Sequence, residues 1–221
     1  TRTWSPEALE ICSLEPERLA AIVPTTAVLP LVEDVALDVG LPVGTPVVVG
    51  AADGPLANLG TGAIAPGVAA LSLGTSGAVR MAIDAPQVDE EGRLFCYALT
   101  DDVWVLGGAI SNGASVMRWV GRELLPDVRD RGNRTDRADE QLLELAATVA
   151  PGSDGLVMLP YLFPERAPLW DPDLTGAYVG LRRHHTRAHL ARAALEGVCL
   201  QLRLIVDALD AVAPVRSLRA T

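Results

Sequence analysis

The chain has 221 residues and a formal net charge of −10, and 49% of its residues are hydrophobic. This apolar content allows a substantial buried core and excludes an intrinsically disordered protein. The acidic balance argues against nucleic acid as a partner, because phosphate binding needs clustered positive charge. No run of eighteen apolar residues is free of charges and of Pro or Gly breaks, so we expect no membrane-spanning helix and no membrane partner.

The basic residues and the cysteines limit the kinds of catalytic and binding site that the chain can contain. All 18 basic residues are arginine. Without lysine, a Walker A phosphate loop and Schiff-base catalysis are both excluded. Cys12, Cys96 and Cys199 lie far apart without metal-type spacing, which favours buried thiols in a reducing compartment. No export signal is visible at the start of the sequence, so we predict a cytoplasmic location.

The first third of the sequence favours helices around one apolar strand. The predicted elements are helical segments at 6–12, 14–21 and 31–39 and a buried strand at 45–50. A further helix is predicted to begin near Pro55, because proline is favoured in the first helical turn. Asp53 or Gly54 would then serve as its N-cap.

From residue 68 onward, strand-like runs predominate before the helices return. Four consecutive runs predict an antiparallel meander at 68–74, 77–83, 93–99 and 103–109. The remaining predicted elements are a helix at 111–124, an exposed loop at 126–138, a helix at 138–149, a buried strand at 155–162, a long helix at 187–212 and a final strand at 215–221. Together these elements predict an α/β protein.

Asp53 is the first candidate functional residue. It lies between the strand predicted at 45–50 and the helix that follows. One interpretation is a helix N-cap, whose carboxylate accepts a backbone N–H. The other is a general base at the carboxyl edge of a sheet, where α/β enzymes place their ligands. The residue pattern leaves both open.

Gly74, Thr75, Ser76 and Gly77 form a small-residue turn between two strand-like runs. Such a turn is common in plain hairpins. It also suits a phosphate loop, because glycines allow close backbone approach and N–H and hydroxyl groups surround phosphate oxygens. Ala78 excludes the Gly-x-Ser-x-Gly pattern of a serine-hydrolase elbow.

Two further polar segments lie towards the C-terminal end. Glu165 and Arg166 occur in the proline-rich segment 160–172, either as a structural pair or as a guanidinium presented to a polar substrate. His185 and His189 are one helical turn apart, but no third ligand accompanies them in the sequence, so we assign no metal-binding residues.

Several motifs together resemble the FGGY carbohydrate kinases. "GAADGPLANLG" is similar to the catalytic segment of that family, and "LSLGTSGAVR" is similar to its second phosphate loop. "IVPTTAVLP", "GRLFCYAL" and "VLGGAISNG" resemble the gluconate-kinase branch. The family's C-terminal signature is matched at Gly176, Gly180, Leu181, His189, Leu190, Ala193, Ala194, Leu195 and Glu196.

This resemblance implies an actin/hexokinase/Hsp70-like, ribonuclease H-like ATPase fold that is incomplete in this chain. Residues 1–67 would be the end of the first, substrate-side domain. Residues 68–221 would be most of the second, nucleotide-side domain, truncated before the adenosine loop. We therefore expect little or no activity from these 221 residues alone, and exposed apolar surface that favours a homodimer or aggregation.

The resemblance also implies roles for individual residues. Asp53 would be the catalytic base, and the turn at 74–76 (Gly74, Thr75 and Ser76) would contact the phosphates of ATP, which comes with Mg²⁺. Asn112 and Gly113 would line the nucleotide, and Arg166 would bind substrate. The implied reaction is phosphorylation of a sugar or sugar acid, gluconate to 6-phosphogluconate above all. The alternatives are a xylulose- or glycerol-type kinase and a catalytically silent sugar-sensing module.

Overall fold

The computed structural model describes residues 3–126 and 135–220. The helices are α1 (Pro6–Cys12), α2 (Glu33–Val39), α3 (Asp53–Gly60), α4 (Ala114–Trp119, continued by a π-helical turn over Val120–Leu124), α5 (Thr135–Ala147) and α6 (Arg187–Val212). The strands are β1 (Val28–Pro30), β2 (Pro46–Val48), β3 (Val68–Leu73), β4 (Gly77–Ile83), β5 (Phe95–Ala98), β6 (Trp104–Ile110), β7 (Val157–Leu159), β8 (Ala177–Val179) and β9 (Ser217–Ala220). None of the helices in the described part is long and apolar enough to cross a bilayer.

A five-stranded sheet with the order β5-β6-β4-β3-β9 forms the centre of the fold. All neighbours are antiparallel except β3 and β9, which run parallel. The predicted meander is therefore wrong in its order, because β4 pairs with β6 and β5 lies outside β6. Burial is consistent with this order. β6 is buried at six of its seven positions and lies inside the sheet, whereas β5 has two partly buried and two exposed residues, as suits an edge strand.

Helix α6 covers one face of this sheet and provides much of the core. It begins and ends at the predicted residues, 187 and 212. It contacts β4, β6 and β7. Its buried apolar side chains recur at helical spacing: Ala191, Ala194, Val198, Leu202, Ile205 and Leu209. Each fully buried Val, Leu or Ile contributes about 1.5–3 kcal/mol relative to exposure, so this face fixes the helix against the sheet.

The strand predicted at 45–50 is shorter and more exposed than expected. Only Pro46–Val48 are extended, and every residue of β1 and β2 is exposed. Among the described residues β2 pairs only with β1, and a two-stranded hairpin cannot cover its own faces. Many of the exposed large apolar side chains of the described chain lie between residues 4 and 64.

Other local expectations need correction. The helix at 14–21 is a single 3₁₀ turn, Pro16–Arg18, because Glu15 is held extended before proline. The strand at 155–162 is limited to Val157–Leu159, and only its middle residue is buried. The helix predicted at 138–149 begins earlier, at Thr135. Most of the loop predicted at 126–138 lies outside the described residues.

The cysteines are free thiols, but they are not buried. Cys12 and Cys199 are exposed, and Cys96 is partly buried. Cys12 ends helix α1, which has no buried residue, and Cys199 lies on the outer face of α6. The prediction of buried thiols is therefore wrong.

Candidate active-site cleft

A cleft of about 550 Å³ opens where the start of α3 faces the five-stranded sheet. Its walls come from the first turn of α3, the turn between β3 and β4, the cleft-facing residues of β4 and β5, and the loop that follows β7. Of the predicted site residues, Asp53, Gly74, Ser76 and Arg166 line this cleft. Thr75, Asn112 and Gly113 are not among its lining residues. Residues that are more than a hundred positions apart in the sequence thus share one concave surface.

Asp53 is the first residue of α3, and Ala52 occupies the N-cap position. The predicted capping role is therefore wrong, and so is the placement of Pro55 at the start of the helix, which begins two residues earlier. The Oδ1 atom of Asp53 accepts one hydrogen bond, from the N–H of Gly54 at 2.7 Å. Asp53 is otherwise exposed towards the cleft. Its position suits a carboxylate that meets a ligand.

The turn between β3 and β4 is held in place by hydrogen bonds to its backbone carbonyl groups. The N–H of Ala114 donates to the Gly74 carbonyl at 2.8 Å, and the N–H of Ser115 donates to the Thr75 carbonyl at 3.2 Å. The Gly74 N–H donates to the Ser76 carbonyl at 2.8 Å. With these acceptors engaged, the turn offers mainly donors to a ligand, which is the polarity that a phosphate requires.

Gly113 packs against this turn, and there is no room for a side chain at residue 113. A Cβ atom at residue 113 would lie 2.6 Å from the carbonyl carbon of Ser76 and 2.7 Å from its oxygen. Both are backbone atoms, so the turn itself would have to move. Gly113 therefore sets the position of the turn rather than lining the cleft.

Replacing Gly113 with alanine is expected to displace the 74–76 turn. Misplacement of a binding group by about 1 Å costs about a hundredfold in kcat/KM, so we expect a loss of this size. Because the resemblance to FGGY kinases implies that this turn contacts ATP, steady-state kinetics with ATP on the full-length gene product measures the loss. Gly60→Ala is a matched control, because a Cβ at residue 60 meets nothing within 4 Å. Equal kinetic constants for the two variants would contradict this role.

Asn112 is completely buried, and its side chain is hydrogen-bonded to the loop that follows β7. Its Oδ1 accepts from the N–H groups of Leu162 and Phe163, both at 2.9 Å. Its Nδ2 donates to the Phe163 carbonyl at 2.9 Å and to Oε2 of Glu165 at 2.6 Å. Its side chain has no capacity left for a nucleotide, so we assign it a positioning role.

Glu165 is the centre of this polar network, and only 4% of the residue is exposed. Its Oε1 accepts from the N–H groups of Ser111 at 2.6 Å and Arg166 at 2.8 Å. Its Oε2 accepts from Asn112 and from the side-chain amide of Gln201 on α6. Glu165 is therefore structural, as one of the two interpretations of the segment held.

Arg166, next to the buried Glu165, reaches the cleft surface. Its Nη2 donates to the Ile110 carbonyl at 3.0 Å, and its Nε donates to the hydroxyl of Ser111 at 3.2 Å. These bonds hold the guanidinium at the end of β6, where it lines the cleft. The Glu165 carboxylate thus anchors the loop, and the Arg166 guanidinium lines the cleft, where contact with a substrate stays a prediction.

Residues 69–221 match the family model described as the FGGY family of carbohydrate kinases, C-terminal domain. The chain belongs to the FGGY family of carbohydrate kinases. The matched segment includes every candidate site residue except Asp53.

Individual FGGY relatives are similar over most of this chain. A gluconokinase from Bacillus subtilis is 45% identical across 99% of the chain, and a xylulose kinase from Lactococcus lactis is 33% identical across 73%. The chain covers 43% of the first relative and 30% of the second. It thus spans less than half the length of these curated relatives.

Solved structures of FGGY kinases confirm the predicted fold class. A gluconate kinase and a ligand-bound xylulose kinase, both from Lactobacillus acidophilus, each superpose with a TM-score of 0.87 at 34% identity. Each comparison covers 99% of this chain and 43% of the other. The α/β, actin-like ATPase fold inferred from the sequence motifs is therefore correct.

The FGGY cleft also contains residues that sequence reasoning missed. Arg80 on β4 lines it, as do the aromatic rings of Phe95 and Tyr97, which stack with their centroids 4.5 Å apart. The sequence could have identified Arg80 as a candidate, because it is the only charged residue in the apolar strand "GAVRMAI". The sequence could also have placed Phe95 and Tyr97 side by side, since residues two apart on a strand lie on the same face.

Proposed function

We propose that this cleft transfers the γ-phosphate of ATP to a hydroxyl group of a sugar acid, with gluconate as the first candidate. The observation that carries the proposal is the sharing of one cleft by Asp53 and the Gly74–Ser76 turn. The similarity to gluconokinases supports the choice of a sugar acid. A cytoplasmic location, where ATP is available, is part of the same proposal.

The proposed reaction follows from the chemistry of this pair. Asp53 would accept the proton of a primary hydroxyl while that oxygen forms a bond to the γ-phosphorus. The bond from the γ-phosphorus to the bridging oxygen breaks, and ADP leaves with the bonding electrons. Donors of the 74–76 turn would hold the nucleotide phosphates in line with the attacking oxygen.

Magnesium would enter this reaction as part of the substrate, MgATP. The described residues bring together no group of three or more His, Cys, Asp or Glu side chains that could hold a metal ion. Asp53 is the only carboxylate among the described residues that line the cleft. Mg²⁺ commonly uses one or two carboxylates together with substrate phosphates and water, so this cleft fits an ion that arrives on the nucleotide.

We also propose a division of the chain between two actin-like domains. Residues 1–67 would belong to the substrate side, and residues 68–221 to the nucleotide side. The family match begins at residue 69, directly after the start of β3, which supports this boundary. Asp53 and the 74–76 turn would then approach each other from the two sides of the cleft.

Substrate selectivity tests the proposal. In the full-length gene product, we expect kcat/KM for gluconate to exceed that for xylulose or glycerol by at least about tenfold, since one charge-assisted contact contributes about 1.5–3 kcal/mol. Coupled ADP release measures each rate. A preference for xylulose or glycerol would favour those kinase types. No turnover with any of the three would favour a catalytically silent binding module.

A further inference from the structure

Arg80 is a half-buried cation in the wall of the cleft. It occupies the middle of β4, whose other residues are apolar or glycine. Asp53, Ser76 and Arg166 line the same cleft. A charge in a central strand is costly unless something compensates it. The surroundings of the guanidinium therefore show whether the protein itself compensates this charge or leaves it for a ligand.

The protein leaves space for this side chain at two glycines. A Cβ at Gly107, on the neighbouring strand β6, would lie 2.8 Å from Cγ of Arg80. A Cβ at Gly54, next to Asp53, would lie 2.9 Å from its Nε. The backbone carbonyl of Arg80 also accepts a hydrogen bond from the buried Asn58 at 3.0 Å. Arg80 is thus held in one place, beside the first turn of α3.

The guanidinium is poorly satisfied by the protein itself. Its one side-chain hydrogen bond among the described residues is a long one, 3.5 Å from Nη1 to the hydroxyl of Ser72. Its Nε is buried without a partner in the same set of residues. No described carboxylate lies within 4.0 Å of it, although the charge of Asp53 attracts it. Apart from the long bond to Ser72, the donors of this guanidinium have no hydrogen-bond partner among the described residues.

The electrostatic environment of Arg80 also favours an anionic ligand. Burial lowers the pKa of the Arg80 guanidinium, the charge of Asp53 opposes that effect, and the positive charge of Arg166 adds to it. Arginine stays charged in proteins, so the site holds a partly desolvated cation close to a second one. An anion placed there would relieve both the desolvation and the repulsion.

We infer that Arg80 binds an oxyanion in the cleft. The inference rests on the proposed function for the two candidate ligands, which are the carboxylate of the sugar acid and the phosphoryl group of ATP. Both present paired oxygens that a guanidinium binds with two parallel N–H donors. Arg80 is then a binding residue of the reaction, in addition to Asp53 and the 74–76 turn.

Ligand binding to variants tests this site without any turnover. We compare dissociation constants for gluconate, for its neutral counterpart glucitol and for a non-hydrolysable ATP analogue, using calorimetry on the full-length gene product. Arg80→Met keeps the apolar stem and removes the charge. Arg203→Met is the matched control, because Arg203 lies on α6, where it pairs with Asp207 and is 69% exposed.

The expected result is a loss of about 10- to 100-fold in affinity for one anionic ligand in Arg80→Met, the size of one charged hydrogen-bonded contact. Weaker gluconate with unchanged glucitol and nucleotide identifies the carboxylate. A weaker ATP analogue with unchanged gluconate identifies the phosphoryl group. Unchanged affinity for both anions overturns the inference, even if the melting temperature falls.

A measurement on the unmodified protein covers the case in which Arg80→Met does not fold. The ¹⁵Nε–¹H resonance of Arg80, assigned by its absence in Arg80→Lys, should shift when one of the anions is added and stay in place with glucitol. A resonance that does not respond to either anion overturns the inference. Because both readouts report binding, the site can be confirmed or overturned even if the protein proves not to be a kinase.

Discussion

Replacing Asp53 with asparagine is expected to lower kcat with gluconate by about a hundred- to ten-thousandfold, the usual contribution of a general base. The KM for gluconate should change little, because asparagine keeps the size of the side chain. Its Oδ1 can still accept the N–H of Gly54, so the start of α3 should be preserved. Coupled ADP release from the full-length gene product measures both constants.

The matched control for this variant is Asp34→Asn. Asp34 is also an acidic residue in the first turn of a helix, in α2, and it does not line the cleft. It should leave kcat within about twofold, because surface substitutions away from special features have small effects. If Asp53→Asn also retained nearly full kcat, Asp53 would not be the base, and the proposed mechanism would be wrong.

The largest effect on stability is expected at Glu165. Glutamine at this position places an N–H₂ group where only acceptors are useful. Asn112 cannot reverse its amide to accommodate it, because its Oδ1 already accepts two backbone N–H groups. Alanine removes the acceptor altogether and takes this partner from the buried amides of Asn112 and Gln201 and from the backbone N–H groups of Ser111 and Arg166.

We expect Glu165→Ala to destabilise the protein by about 3 kcal/mol or more, since each unsatisfied buried group costs about 1–3 kcal/mol. This corresponds to a melting temperature lower by roughly 6–12 °C for a protein of this size. Glu165→Gln should lie between Glu165→Ala and the wild type. Thermal unfolding measures all three. Glu91→Gln is the control, because the Glu91 side chain is 70% exposed. A shift at Glu165 no larger than that of the control would contradict the structural role.

The parts of the fold that were predictable are those with a strong local pattern. The long helix at 187–212 was predicted to the residue, because its apolar spacing extends over seven turns. Strand order was not predictable in this way. The position of β5 outside β6 depends on which strand the rest of the fold buries, and the run 93–99 does not contain that information.

The candidate site was only partly predictable for a similar reason. Motifs identified Asp53 and the 74–76 turn, which share the cleft. They did not separate residues that line it from residues that support it, such as Asn112 and Gly113, because this difference depends on contacts with segments about fifty and about forty residues away. Arg80 carried its own signal in an apolar strand, and its donors became interpretable only once Gly54 and Gly107 were placed beside it.

The most direct test of the account is to follow the phosphoryl group itself. Phosphorus NMR of the full-length gene product with MgATP and gluconate should show the γ-phosphate signal falling while a phosphomonoester signal on the primary carbon of gluconate rises in equal amount. Loss of the γ-phosphate only to inorganic phosphate, or no change in the ATP signals, would contradict phosphoryl transfer in this cleft.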